Sequence, residues 1–187
     1  MLGAMLTLRR AIAADVPIIL ELIRDLATYE REPEAVVASK ADLLRDGFGG
    51  EPAFYVLLAD DCDDAGNSET IGFALWFFSY STWVGRRCLY LEDLFVRPTH
   101  RGKGAGIALM RALAAEALAA SCRRFVWQVL DWNTPSIRFY ESLGARILPE
   151  WESVRIEGDA LARLAEGALA VRADEGGRKA GPIVHGT

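Results

Sequence analysis

The most informative stretch of the sequence is an apolar strand, Leu89–Val96, that leads into a glycine-rich loop, Arg101–Gly106. Glycine at alternate positions of the loop lets the backbone turn sharply and approach a ligand closely, so that successive N–H groups can point at phosphate oxygens. A helix that begins inside the loop would add the partial positive charge of its N-terminus, and Arg101 and Lys103 would add formal charge. The pattern predicts an anion cradle at the end of the strand.

Two familiar nucleotide-binding patterns do not fit this loop. A P-loop requires Ser or Thr directly after its Lys, and here Gly104 follows Lys103. A dinucleotide-binding fingerprint would require Gly where Ile107 stands. The loop therefore predicts a phosphate site of another kind. A glycine-rich turn that only caps a helix is the alternative.

Two neighbouring carboxylates, Glu92 and Asp93, interrupt the otherwise apolar strand before the loop. Side chains of adjacent strand residues point to opposite faces of a sheet unless a β-bulge intervenes, so we expect one role for each residue. A buried carboxylate is unfavourable without a partner, which makes both residues candidates for binding or proton transfer. The alternative is a structural pairing with an Arg or with a helix end.

The composition excludes several classes of protein. The chain has 187 residues, of which 51% are hydrophobic, which is enough for a core and predicts one domain. Its 26 acidic and 21 basic residues give a formal charge of -5, which argues against a nucleic-acid partner and suits a cationic substrate. The three Cys and two His lack the spacing of a metal site or a disulfide framework, so we expect no metal. No uninterrupted apolar run of about 18 residues occurs, so we expect no membrane span and a cytoplasmic location.

The order of the predicted elements indicates an α/β (α+β) fold with mixed strand pairing. Apolar spacing and capping residues predict a helix over Asp15–Tyr29, with Asp15 as N-cap, and a second helix from Ser39 to Gly47. Residues 1–170 are predicted to form a single domain and residues 171–187 a flexible tail. The predicted strands are Leu6–Ala11, Phe54–Ala59, Ile71–Tyr80, Cys88–Val96, Phe125–Leu130 and a hairpin within Ile147–Ile156, and the later helices are Gly104–Ala120, one from Thr134 to Gly144, and Ala160–Ala170.

The sequence Arg101-Gly102-Lys103-Gly104-Ala105-Gly106 resembles the acyl-CoA loop of the GNAT superfamily of acetyltransferases. Together with Leu89–Val96 and Trp132–Tyr140, it resembles the spermidine/spermine N-acetyltransferase branch, which includes thialysine-type relatives. The resemblance covers roughly residues 5–165. It implies a GNAT-type fold, a twisted and mostly antiparallel mixed sheet flanked by helices. It also implies a homodimer and direct acetyl transfer from acetyl-CoA to a primary amine, without a metal.

The implied reaction assigns roles to three groups. Aliphatic amines have a pKa of about 10.4, so the substrate arrives protonated and must lose a proton before it attacks. By resemblance, Glu92 contacts the amine and helps to remove that proton, with Asp93 secondary. The CoA thiolate needs a proton donor, and by resemblance Tyr140 supplies it. Taken alone, Tyr140 reads as a core aromatic on its helix.

The resemblance also implies two sets of binding residues. The substrate-binding set is Tyr29, Glu30, Glu92 and Asp93. The set implied to bind the cofactor is Leu94, Phe95, Val96, Arg101, Gly102, Lys103, Gly104, Ala105, Gly106, Ile107, Asn133 and Ser136. For Asn133 and Ser136 the alternative is ordinary helix capping, and for Tyr29 and Glu30 it is a solvated charged segment.

One departure from the branch bears on the substrate. Animal polyamine enzymes usually carry an acidic residue shortly after an aromatic stretch, where this chain has Ser81 and Thr82. A shorter amine, such as a diamine or a lysine-like amino acid, therefore stays open. The other hypotheses are acetylation of an amino acid or a protein amine, and an acyl-CoA-binding module without catalysis. Thiol release on a panel of amines would distinguish them.

Overall fold

The computed structural model describes residues 5–63, 65–166 and 168. These residues contain five strands and five α-helices, and short 3-10 turns precede α1, α2 and α3. The strands are β1 (Met5–Arg10), β2 (Tyr55–Cys62), β3 (Ser68–Ser81), β4 (Arg86–Val96) and β5 (Arg124–Trp127). The helices are α1 (Val16–Tyr29), α2 (Lys40–Phe48), α3 (Ala105–Ala119), α4 (Thr134–Ser142) and α5 (Gly158–Ala165).

The five strands form one sheet in the order β1-β2-β3-β4-β5. The first four strands pair antiparallel with their neighbours, and β5 pairs parallel with β4. Parallel neighbours need a long crossover, which α3 provides between β4 and β5. The predicted mixed, mostly antiparallel sheet flanked by helices is confirmed.

Local capping residues explain where two of the helices begin. At α2, the Ser39 hydroxyl accepts from the Asp42 N–H at 3.2 Å, and the Asp42 carboxylate accepts from the Ser39 N–H at 3.0 Å. This reciprocal capping box confirms the prediction from the sequence. Asp15 does occupy the N-cap of α1, but its carboxylate accepts instead from the Ile12 N–H and from Arg9.

The core lies between one face of the sheet and the helices α1 and α2. Phe73 and Leu75 of β3 and Phe95 of β4 pack there with buried side chains of both helices. On the opposite face, Arg10 lies over the Trp76 ring at 4.7 Å and pairs with Glu116 of α3 at 2.6 Å. The helices therefore cover both faces of the sheet.

The described residues fall into two compact units, one up to Gln128 and one from Val129 onward. The first contains the sheet with α1, α2 and α3, and the second contains α4 and α5. Among the described residues, no helix is both long and apolar enough to cross a lipid bilayer. The predicted flexible tail, 171–187, lies outside the described residues.

Two predictions near the end of the chain are corrected. β5 ends at Trp127 rather than at Leu130, because its last pairing with β4 joins Trp127 to Leu91. The hairpin predicted within Ile147–Ile156 does not form, and this segment has only a turn at Pro149. A strand requires a hydrogen-bonded neighbour, which an apolar run cannot supply by itself.

Candidate functional site

A β-bulge in β4 creates the centre of the site. Leu75 of β3 pairs with Asp93 and the next residue, Trp76, pairs with Leu91, which leaves Glu92 as the extra residue. Residues directly opposite each other share a face, so Asp93 lies on the face of Leu75 and Leu91 on the face of Trp76. The bulge therefore turns Asp93 toward the α1 side of the sheet, and Glu92 is left exposed.

The bulge brings together carboxylates from two distant parts of the sequence. Asp93 lies close enough to Glu92 and to Glu30, directly after α1, for both charges to act on its carboxyl group. Burial, with a contribution from these two charges, raises the pKa of Asp93 to about 7. Burial also raises the pKa of Glu30. The site is strongly acidic, and one of its carboxyl groups exchanges its proton near neutral pH.

Asp93 is buried at the bulge with a pKa of about 7, which the sequence did not indicate. By resemblance we predicted it as secondary to Glu92, and from the alternation of strand residues we expected the two side chains to face opposite ways. The bulge removes that alternation, and burial gives Asp93 the pKa that suits a proton acceptor at neutral pH. Neither the bulge nor the burial of Asp93 can be predicted from the sequence alone.

Tyr90, which sequence reasoning did not single out, lies next to the carboxylates of the bulge. Its ring stacks on Phe77 of β3, with ring centroids 5.0 Å apart and planes 26° from parallel. Burial and the neighbouring charge of Glu92 raise the pKa of Tyr90. The available signal was its position two residues before Glu92 in the same strand.

The glycine loop has the predicted backbone geometry. Gly102 and Gly104 have φ values of +75° and +96°, in the left-handed region that L-residues rarely adopt. Gly104 is the N-cap of α3, and its carbonyl accepts from the Ala108 N–H at 3.0 Å. The N–H groups of Ala105, Gly106 and Ile107 precede the first intrahelical bond and are oriented toward the loop.

The strands β4 and β5 separate at the bulge. Their ladder ends at Leu91 and Trp127, whereas β4 continues through Leu94 and Phe95 to Val96. On this side, residues 92–96 have no strand partner among the described residues. The peptide groups of these residues that point away from β3 are therefore available to a ligand along the strand, except the Val96 carbonyl, which accepts from Arg101.

Arg101 links the loop to the end of α1. Its Nε donates to the Val96 carbonyl at 2.9 Å, and its guanidinium carbon lies 4.3 Å from the centre of the Tyr29 ring. We predicted this side chain as positive charge at the rim of the cradle. The structure adds that it packs on an aromatic ring of the predicted amine site.

Arg97 attaches α1 to the sheet near the same point. Its guanidinium pairs with Glu21 of α1, with Asp25 of α1 at 3.6 Å and with Glu69 of β3 at 3.0 Å. His100, in the turn before the glycine loop, is partly buried, with Nε2 3.9 Å from Glu69. It also lies 3.8 Å from Asp61 of β2.

The second unit holds the remaining predicted residues. Asn133, rather than Thr134, is the N-cap of α4, and its side chain accepts from the Ser136 N–H at 3.3 Å. Capping, the alternative reading of Asn133 and Ser136, is therefore observed. Tyr140 is 8% exposed, and its ring centroid lies 5.4 Å from that of Phe139.

Within the first unit, the structure thus brings together Tyr29, Glu30, Glu92 and Asp93, and it places the glycine loop next to them through Arg101. In the part of the chain that the structure describes, no group of three or more His, Cys, Asp or Glu side chains is arranged to hold a metal ion. The arrangement can bind a cation beside an anion cradle.

Comparison with known proteins agrees with this geometry. The model of the acetyltransferase (GNAT) family matches residues 17–145. The thialysine N-epsilon-acetyltransferase of Sus scrofa is 40% identical over 168 residues, which cover 87% of this chain and 98% of that protein. The spermidine/spermine N(1)-acetyltransferase-like protein 1 of Homo sapiens is 41% identical over 140 residues, 74% of this chain and 20% of that protein.

A solved structure also shares the fold of this chain. An integron cassette protein from the mobile metagenome of V. cholerae superposes with a TM-score of 0.71 at 28% identity. The match covers 87% of this chain and 98% of the cassette protein.

Proposed function

The chain belongs to the GNAT family of acetyltransferases, and from this premise we propose that it transfers acetyl from acetyl-CoA to a primary amine of a small cationic substrate. The observation that supports this choice of substrate is the group of three carboxylates at the bulge, Glu30, Glu92 and Asp93. A protonated amine brought next to these carboxylates offsets the repulsion among them.

Removal of the amine proton falls to Glu92 and Asp93. Glu92 is exposed and is available to the incoming ammonium group. Asp93, with a pKa of about 7, is a stronger proton acceptor than an ordinary carboxylate. The two adjacent groups act as one acceptor, and at neutral pH the added proton resides on Asp93.

The acetyl transfer proceeds by direct attack in a ternary complex. The amine nitrogen forms a bond to the acetyl carbon, and the bond from that carbon to the CoA sulfur breaks. The thiolate takes a proton from Tyr140, and the first ammonium proton has already passed to the carboxylates. The second proton, which the nitrogen loses as the amide forms, restores the Tyr140 hydroxyl through solvent. Peptide N–H groups at the bulge of β4 stabilise the oxyanion of the intermediate.

The free side of β4 and the glycine loop support acetyl-CoA as the donor. Residues Leu94, Phe95 and Val96 supply peptide groups to the pantetheine arm, as a strand partner would. The diphosphate lies on the N–H groups of residues 102–107 at the N-terminus of α3, with Lys103 at the rim. Asn133 and Ser136, at the start of α4, complete the proposed cofactor contacts.

The proposed acceptor is a short amine, a diamine or a lysine-like amino acid. Ser81 and Thr82 offer no additional carboxylate for a long polycation. One relative of 40% identity is named for thialysine, a lysine-like amine. This name favours the lysine-like amino acid over the diamine, and both would use the same site.

We propose the cytoplasm as the location and a homodimer as the assembly, with neither nucleic acid nor membrane as a partner. The acidic balance of the chain supports the first exclusion. The cysteines Cys62, Cys88 and Cys122 are free thiols, in keeping with a reducing compartment. Light scattering of the purified chain tests the dimer.

A substrate screen tests the proposed function. The chain is incubated with acetyl-CoA and, in turn, putrescine, spermidine, spermine, lysine, thialysine, ornithine and an aminoglycoside, and thiol release is measured. We expect the highest kcat/KM with a diamine or a lysine-like amine. Binding of acetyl-CoA without turnover on any amine would instead favour the non-catalytic module.

A glycine substitution tests the cofactor loop. Gly104→Ala is expected to raise the Kd of coenzyme A about tenfold, because the φ of +96° disfavours a residue with a Cβ by roughly 1–2 kcal/mol. Gly50→Ala is the control, since Gly50 has no positive φ and open space around it. Calorimetric titration measures the Kd of coenzyme A for both variants. Equal Kd values would show that the loop is not part of the cofactor site.

A further inference from the structure

The Arg101 side chain touches two separate elements of the first unit. Its Nε donates to the carbonyl of Val96, the last residue of β4, at 2.9 Å. Its guanidinium carbon lies 4.3 Å from the ring centre of Tyr29, the last residue of α1, and 5.5 Å from that of Phe95. Arg101 therefore joins the first position of the glycine loop to both β4 and α1.

Both ring contacts lie within the range of cation–π attraction, which extends to about 6 Å. The planar guanidinium can stack on a ring and still donate a hydrogen bond within its own plane, whereas the tetrahedral ammonium of Lys cannot stack. Because Gly102 and Gly104 turn the chain directly afterwards, the position of the Arg101 side chain depends on the conformation of the loop. The contact with Tyr29 thus forms when the loop has the shape that presents its N–H groups.

On the other side of this contact lies the amine site. Tyr29 directly precedes Glu30, whose charge acts on Asp93. A shift of the Tyr29 ring therefore moves the end of α1 and one of the carboxylates that face the amine. Arg101 and Tyr29 thus connect the loop with the amine site.

We propose that Arg101 is a positioning residue that couples the two substrate sites through Tyr29, so that coenzyme A and the amine each bind more tightly when the other is present. This inference rests on the proposed function. A ligand that stabilises the loop also stabilises the contact with Tyr29, and the contact holds Glu30 next to Asp93. Linkage requires the effect to be equal in both directions.

The test measures cofactor affinity in a variant of the amine site. Tyr29→Leu removes the ring and is expected to raise the Kd of coenzyme A about 5-fold, although Tyr29 lies outside the glycine loop. Tyr29→Phe retains the ring and is the matched control, with a Kd within about twofold of the original. A Kd for Tyr29→Leu equal to that of the unchanged chain would overturn the proposal.

A double-mutant cycle shows whether the effect passes through Arg101. In the Arg101→Gln background, Tyr29→Leu should produce no further increase in the Kd of coenzyme A. The same increase in both backgrounds would overturn the proposal, because Tyr29 would then act by another route.

The coupling itself provides a readout that a purely structural role would not change. The Kd of coenzyme A is measured with and without a saturating amine, the most active one from the substrate screen. We expect the amine to lower this Kd in the unchanged chain and in Tyr29→Phe, and to have no effect in Tyr29→Leu. If the amine changed the Kd of coenzyme A by the same factor in all three proteins, the coupling would be refuted. If the chain neither bound coenzyme A nor acetylated any amine, the proposed function itself would be refuted.

Discussion

Tyr140→Phe is expected to lower kcat by about 100-fold or more while the Kd of acetyl-CoA stays within about twofold. The substitution removes only the hydroxyl, the proposed proton donor to the CoA thiolate. The ring is 8% exposed and lies beside Phe139, so a phenylalanine ring retains the apolar packing. Steady-state kinetics and calorimetric titration separate the two effects, because a proton donor used in the transition state changes kcat and not cofactor affinity.

The matched control for this variant is Tyr80→Phe. Tyr80 is 62% exposed in β3 and has no proposed role in the reaction, so its variant should have an unchanged kcat. If Tyr140→Phe turned over as fast as this control, Tyr140 would have no part in the mechanism.

Glu92→Gln is expected to lower kcat/KM for the amine by about 100-fold, the range for loss of a proton acceptor. The amide is similar in size but cannot hold the substrate cation by charge or accept its proton. Since Glu92 is the extra, exposed residue of the bulge, the substitution should leave the sheet intact. Circular dichroism of the variant verifies this.

The pH dependence of kcat/KM is a second test of the same site, and its direction can be predicted. Below the pKa of about 7, Asp93 is protonated and neutral, so kcat/KM should fall as the pH is lowered through 7. The charge of Glu92 helps to raise the pKa of Asp93, so Glu92→Gln should move this inflection to lower pH. Asp93→Asn should abolish it.

Measurement of kcat/KM from about pH 5.5 to 8.5 covers this inflection and stays below the ionisation of the free amine near 10.4. An identical profile in Glu92→Gln and the unchanged chain would show that another group takes the proton.

Features that depend on neighbours in the sequence were predictable. The capping box of Ser39 and Asp42, the extent of α1 and the turn at Gly104 each follow from side chains within a few residues of one another. The same holds for the mixed sheet, because the order of the elements limits how the strands can pair. For these features, the sequence and the structure agree to within a few residues.

Features that depend on distant contacts were not predictable. The hairpin expected within Ile147–Ile156 does not form, although its residues have strand-like composition. Nor did the pattern of β4 indicate that Glu92 would be the extra residue of a bulge, since a bulge is defined by its register with β3.

The residues of this protein thus determined by themselves that a glycine loop with left-handed turns follows a strand with two carboxylates, because glycine conformations and side-chain charges are local properties. Only the tertiary structure decided that Asp93 faces α1 beside Glu30 with a pKa of about 7, and that Arg101 lies on Tyr29. The physical reason is that burial, Coulomb interactions and ring contacts depend on distances between groups that are far apart in sequence.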